Sequence, residues 1–308
     1  MEARAGRLGG DLGGDLGGGP AAEGTSGDGL EAPRRYDRRS LTYANTFAST
    51  RTRLAIRAVE WATGKAAVLR RISEFERRAA RGEPHGGQAF WRAALDVMGI
   101  DVPTPPEEVA RIPREGPVVV VANHPHGLVD GMVLAEVLGR VRSDYRILSR
   151  SILFGIDEAA SSFLIPVPFP HEADAQGRML AMRARALAHL GGGGLVALFP
   201  SGAVASAPTA WGRPVEGEWN AFTAKLIRVS GAAVLPVFFP GSNSRAYQVA
   251  ARLSPTLRQG LLLHEVVVAM DRPQAPRVGE AIPPEAMAGR EGRALMAWLR
   301  ERTLALGG

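Results

Sequence analysis

The chain of 308 residues contains no cysteine. Disulfide frameworks, thiolate metal sites and cysteine nucleophiles are therefore excluded, and any catalysis has to use another nucleophile or a base. Long apolar runs are missing as well. None approaches the roughly 18–20 residues needed to span a bilayer, and the N-terminus lacks the apolar core of a signal peptide, so the expected location is intracellular. Basic residues interleaved with aromatic ones are also lacking, which argues against nucleic acid as a partner.

What is present is ample apolar material. At 45% hydrophobic residues the chain can build one large or two ordinary domains. The formal net charge of +6 is local. Residues 1–33 carry a net −4, residues 34–81 a net +9, and the remainder is near neutral. Residues 1–35 repeat glycine around Asp11, Leu12, Asp15 and Leu16 and cannot bury enough surface to offset the entropy of ordering, so they are expected to be a disordered tail. Residues 36–110 form a basic, amphipathic helical region. Leu54, Trp61, Val68, Leu69, Ile72 and Phe75 lie there among arginines, which fits either docking on an anionic membrane surface or a helix packed on the core with a solvated arginine face. Residues 111–308 form the remaining domain.

That domain is organised around Val118-Val119-Val120-Val121-Ala122-Asn123-His124-Pro125-His126-Gly127-Leu128-Val129-Asp130-Gly131. Four valines predict a strand covered on both faces. Pro125 and Gly127 interrupt regular structure, and helical spacing resumes at Met132. Further strands are expected at 145–149, 163–168, 195–199 and 233–239, with one or two edge strands in 264–283. Helices are expected at 175–190, 220–229 and 292–306. This alternation predicts an α/β fold with a mostly parallel central sheet flanked by helices, preceded by the amphipathic segment.

His124 and Asp130 are the first chemical candidates. On a continuous helix they would stand about 240° apart, but across a Pro/Gly-broken loop they can meet. A carboxylate on one ring nitrogen fixes the tautomer and frees the other to accept a proton. Asp130 is equally well placed to cap the following helix. His126 adds a His-x-His pattern, but a metal site needs a third or fourth ligand, and His85, His171, His189 and His264 show no matching spacing; no metal is expected. Phe199-Pro200-Ser201-Gly202 follows another strand, where glycine lets a ligand approach the backbone. Ser201 lacks the Gly-x-Ser-x-Gly elbow of a serine hydrolase. Arg150, Arg178, Arg213 and Lys225 are cations able to hold a phosphate or carboxylate.

The ordered set of Asn123-His124-Pro125-His126-Gly127-Leu128-Val129-Asp130-Gly131, Phe199-Pro200-Ser201-Gly202 and Val234-Leu235-Pro236-Val237 resembles the lysophospholipid and glycerolipid acyltransferase superfamily. It is most similar to the bacterial hemolysin-related and ornithine-lipid branch, whose motif keeps five residues between histidine and aspartate. The resemblance covers about residues 50–305. It implies a membrane-peripheral enzyme at the cytoplasmic face of the inner membrane, moving an acyl group from acyl-carrier protein or acyl-CoA to a lysolipid hydroxyl. It further implies His124 as base, Asp130 as its orienting partner, and no resident cofactor. Asn123 or backbone amides of the His124 loop would stabilise the intermediate, and Gly127, Phe199, Pro200, Ser201, Gly202, Arg150 and Lys225 would bind substrate. The wider family often places a glutamate in its Phe-Pro-x-Gly loop, where this chain has Ser201 and Ala203. That departure keeps open a non-catalytic lipid- or acyl-carrier-binding protein of the same fold.

Overall fold

The computed structural model describes residues 41–149, 158–168, 174–209 and 212–308. The expected tail, Arg150 and His171 lie outside these residues. The described residues belong to one compact unit, Arg35–Gly308. Residues 41–110 share a hydrophobic core with the residues that follow them.

The basic region folds as α1 (Thr50–Thr63), α2 (Lys65–Ala80) and α3 (Ala89–Val97), followed by a short α4 (Pro106–Val109). Then come β1 (Val118–Ala122), α5 (Leu128–Gly139), β2 (Tyr145–Ser149), α6 (Glu158–Ser162), β3 (Leu164–Pro166), α7 (Ala175–Gly191) and β4 (Leu195–Leu198). The chain continues through α8 (Ala221–Ser230), β5 (Ala233–Phe238), α9 (Arg245–Leu253), α10 (Pro255–Gly260), α11 (Leu262–Ala269), β6 (Arg277–Val278) and α12 (Gly292–Ala305).

The sheet order is β3-β2-β4-β1-β5-β6, parallel throughout except for the antiparallel β6 at its edge. The valine strand is central because its side chains are apolar on both faces. Val118, Val120 and Ala122 join the core layer beneath α1–α3 and α5, while Val119 and Val121 join the layer beneath α7, α8 and α12. Each such buried valine contributes roughly 1.5–3 kcal/mol. Because β4, β1 and β5 run parallel, their carboxyl ends emerge at one edge of the sheet, and the loops that follow them meet there.

Two expectations are refined. Of the one or two edge strands expected in 264–283, β6 is present at the sheet edge, but the start of the region lies in α11, where Leu263 and Val266 are buried at helical spacing and the backbone at Leu263–His264 packs on Gly64. Tertiary burial overrides the strand preference of Val266-Val267-Val268. Strand pairing there is confined to the two residues of β6 and an isolated bridge between Val234 and Ile282. The helix after β1 also begins earlier than expected, at Leu128 instead of Met132, so Asp130 stands in its first turn.

Candidate active site

The loop between β1 and α5 is pinned on every side. Gly127 takes φ 85° and ψ −122°, a conformation open to glycine and strained for other residues, and this reverses the chain into α5. Asp130 is fully buried and reaches back over that turn. Its Oδ2 accepts from the backbone N–H of Gly127 at 3.0 Å and of His126 at 2.8 Å, and lies 2.9 Å from His124 Nδ1. Its Oδ1 lies 2.9 Å from His126 Nδ1. The aspartate is thus both the helix cap and the partner of His124, two roles that looked like alternatives in the sequence.

His124 is held by three further contacts. Its backbone N–H donates to Glu216 Oε2 at 3.1 Å, its carbonyl accepts from Ala205 N at 2.8 Å, and its ring stacks on Phe199 at 4.0 Å. Glu216 is buried and is itself steadied by Trp219 Nε1 at 3.1 Å. The β4 loop therefore supplies both a stacking surface and a carboxylate to the β1 loop.

Electrostatics follow from this geometry. Burial alone would raise the Asp130 carboxyl, but the His126 charge and the hydrogen bonds from both histidines outweigh it and bring it down from 3.8 to about 2. Burial alone would lower the His126 imidazole; the charge and hydrogen bond of Asp130, with a smaller contribution from Glu265, prevail and raise it above 6.5.

A cavity of about 560 Å³ opens beside the His124–Phe199 stack, a size typical of ligand sites. Trp91, Met132, Ile147, Leu148 and Leu164 give it apolar walls suited to an acyl chain, and Gly127, Phe199, Pro200, Ser201 and Gly202 line it as expected. Ser201 Oγ donates to Ala203 O at 2.9 Å, so its proton is turned away from any base. Arg183 from α7 and Arg258 from α10 also line the cavity, with no carboxylate among its described lining residues. Arg183 lies 5.0 Å above the Phe222 ring.

Asn123, Lys225 and the amides of the His124 loop are placed as follows. Asn123 is buried and clamps β1 to the end of β5, donating from Nδ2 to Phe239 O at 2.9 Å and accepting from Phe239 N at 2.7 Å. Lys225 is exposed on α8 and does not line the cavity. The amides of the His124 loop are also already engaged: that of His124 by Glu216, those of His126 and Gly127 by Asp130. In this structure these amides and one N–H of Asn123 are spent on the protein itself. The sequence reading missed Arg183, Arg258 and Glu216. They belong to arginine- and glutamate-bearing stretches that look like solvated surface; in the fold Glu216 is buried, Arg258 is half-buried, and Arg183 lines the cavity while staying exposed. His126 was read only as a possible metal ligand, and among the described residues no cluster able to hold a metal is found.

The parallel α/β architecture thus places a carboxylate-bound imidazole at the strand ends beside a largely apolar cavity. Residues 107–239 match the family model described as Acyltransferase. The span runs from α4 to the Asn123–Phe239 clamp and includes the His124 and Phe199 loops. Among solved structures, the chain is similar to the crystal structure of the 1-acyl-sn-glycerophosphate (LPA) acyltransferase PlsC from Thermotoga maritima. The identity is 15%, the match covers 71% of this chain and 76% of that one, and the TM-score is 0.46. No curated protein matches the chain.

Proposed function

We propose that this chain is an acyltransferase that moves a fatty acyl group from the thioester of acyl-carrier protein or acyl-CoA to the hydroxyl of a membrane lysolipid, either a lysophospholipid or a lyso-ornithine lipid. The observation that carries this reading is the 2.9 Å contact of His124 Nδ1 with the buried Asp130, made by a ring that lines the cavity. With its Nδ1 proton held by Asp130, the imidazole keeps a lone pair on Nε2. Nε2 takes the acceptor's hydroxyl proton as that oxygen attacks the thioester carbonyl. The tetrahedral intermediate then expels the thiolate, which recovers the proton from Nε2: a C–O bond forms, a C–S bond breaks, and a free thiol leaves. The acyl thioester enters as co-substrate, and the step calls for no resident cofactor or metal.

Arg183 and Arg258 in a cavity without lining carboxylates support an acceptor with an anionic head, phosphate or carboxylate. Among the described residues no helix is long and apolar enough to cross a membrane. The outer face of α1 instead leaves Leu54 61% and Trp61 58% exposed, beside the exposed Arg51 and Arg57. That combination supports peripheral docking on an anionic surface, in this reading the cytoplasmic face of the inner membrane. The deciding experiment measures transfer from acyl-carrier protein and acyl-CoA to a panel of lysolipids. His124→Ala is expected to lower the rate about 10²–10⁴-fold while the chain stays folded. Full activity in that variant sinks the reading.

A further inference from the structure

We propose that His126 is a positioning residue for acyl transfer: it holds the second oxygen of Asp130 and, by gaining or losing a proton, sets how much negative charge that carboxylate offers His124. The inference rests on His124 being the base. Its foundation is geometric. The two imidazoles divide one buried carboxylate, His124 Nδ1 on Oδ2 and His126 Nδ1 on Oδ1, each at 2.9 Å. Asp130 is 0% exposed, so its charge is shared between these rings with little screening by water.

The surroundings of His126 favour a proton on it. Besides Asp130 from α5, the charged neighbour acting on it among the described residues is Glu265 from α11, a carboxylate anchored by Ser244 N at 2.7 Å and Ser244 Oγ at 2.6 Å. His124, on the same loop, is the remaining titratable group on Asp130. The His126 ring packs against the loop after β5, where a Cβ added at Gly241 would come within 3.0 Å of Nε2. At 12% side-chain exposure, His126 can still exchange a proton with water.

Two states follow. With His126 protonated, Asp130 is neutralised from that side and a second positive charge on His124 is opposed, so His124 is a weak base. With His126 neutral, Asp130 presents its whole charge to His124 and stabilises the imidazolium that forms as the acceptor loses its proton. Basicity at His124 therefore rises in two coupled steps with pH.

The test follows the His124 and His126 ring signals by NMR titration of the full chain, together with the acid limb of kcat/KM. In wild type the His124 signal should respond to both protonations and the acid limb should rise in two steps. His126→Asn places an amide nitrogen where Nδ1 stood, keeping a donor to Asp130 while removing the charge. In that variant the limb should collapse to one step, and the His124 midpoint should rise by about one pH unit. Should the variant fail to fold, the two-step response in wild type is read alone. Independent, single-step titration of His124 with an unchanged midpoint in His126→Asn overturns the proposal. Because the NMR arm needs no turnover, coupled rings in a chain that transfers no acyl group count against the base assignment, whereas an active enzyme with uncoupled rings counts against His126.

Discussion

Asp130 links chemistry to stability, because the same carboxylate caps α5 and holds two imidazoles. Its folded value is depressed from 3.8 to about 2, so its contribution is present in full above its ordinary value and is lost as pH falls through about 2. His126 is raised above 6.5, so its contribution is complete below that value and fades as pH climbs through the higher folded one. The ion pair is fullest between about pH 4 and 6.5. Asp130→Asn should remove on the order of 2 kcal/mol of acid-sensitive stability and flatten the unfolding free energy between pH 4 and 2, measured by urea titration. An equally steep acid limb in the variant contradicts this. At the same scale, if the proposed reaction holds, Arg183→Met should raise the KM for an anionic acceptor about tenfold with kcat nearly unchanged, since it removes a cation from the cavity lining and leaves the proposed base His124 intact. An unchanged acceptor KM rules it out. His124, Asp130 and the Phe199 loop were readable because their chemistry sits in short, spaced motifs. Arg183, Arg258 and Glu216 were not, because nothing local distinguishes a charged side chain that lines a cavity from one that does not.

At the scale of elements, the site depends on how β1 is tied to its neighbours. Asn123 pairs with both backbone groups of Phe239 inside the core. Asn123→Ala should cost about 2–4 kcal/mol by leaving a buried N–H and C=O unpaired, seen as a lower urea midpoint. Gly127→Ala is expected to be worse for activity than its size suggests. A methyl group there meets Val204 Cγ2 at 3.4 Å, and the backbone angle is strained for alanine, so relaxation would pull His126 and His124 off Asp130. Native-like kcat in that variant argues against the loop geometry. Most elements were legible from period and punctuation: the valine strand, the 175–190 helix, and Gly231, which ends α8 at φ 61°. The helices α9 and α10 were not expected, although Ser244 and Ser254 cap them and Pro255 opens the second. Their apolar positions are too short a run to announce a period.

At the scale of the whole molecule, α1 packs on α10, and α10 carries Arg258 into the cavity wall, so the basic N-terminal helices and the site share one body. Replacing the exposed pair, Leu54→Ser with Trp61→Ser, should weaken binding to phosphatidylglycerol-rich vesicles about tenfold or more without lowering thermal stability, as followed by co-sedimentation. Binding should also fall as salt rises, because surface charges are screened over about 8–10 Å near physiological ionic strength. Unaltered sedimentation of the variant would remove α1 from the docking surface.

The sequence alone determined the central strand, the broken turn that lets His124 and Asp130 approach, and the acyltransferase resemblance, since each depends on neighbours a few residues apart. The tertiary structure decided what Asn123 does, which arginines reach the cavity, that Glu216 holds the His124 backbone, and that two histidines divide one aspartate. Those contacts join α7, α10, the β4 loop and the β1 loop, whose separation along the chain is closed only when parallel strands bring their carboxyl ends together.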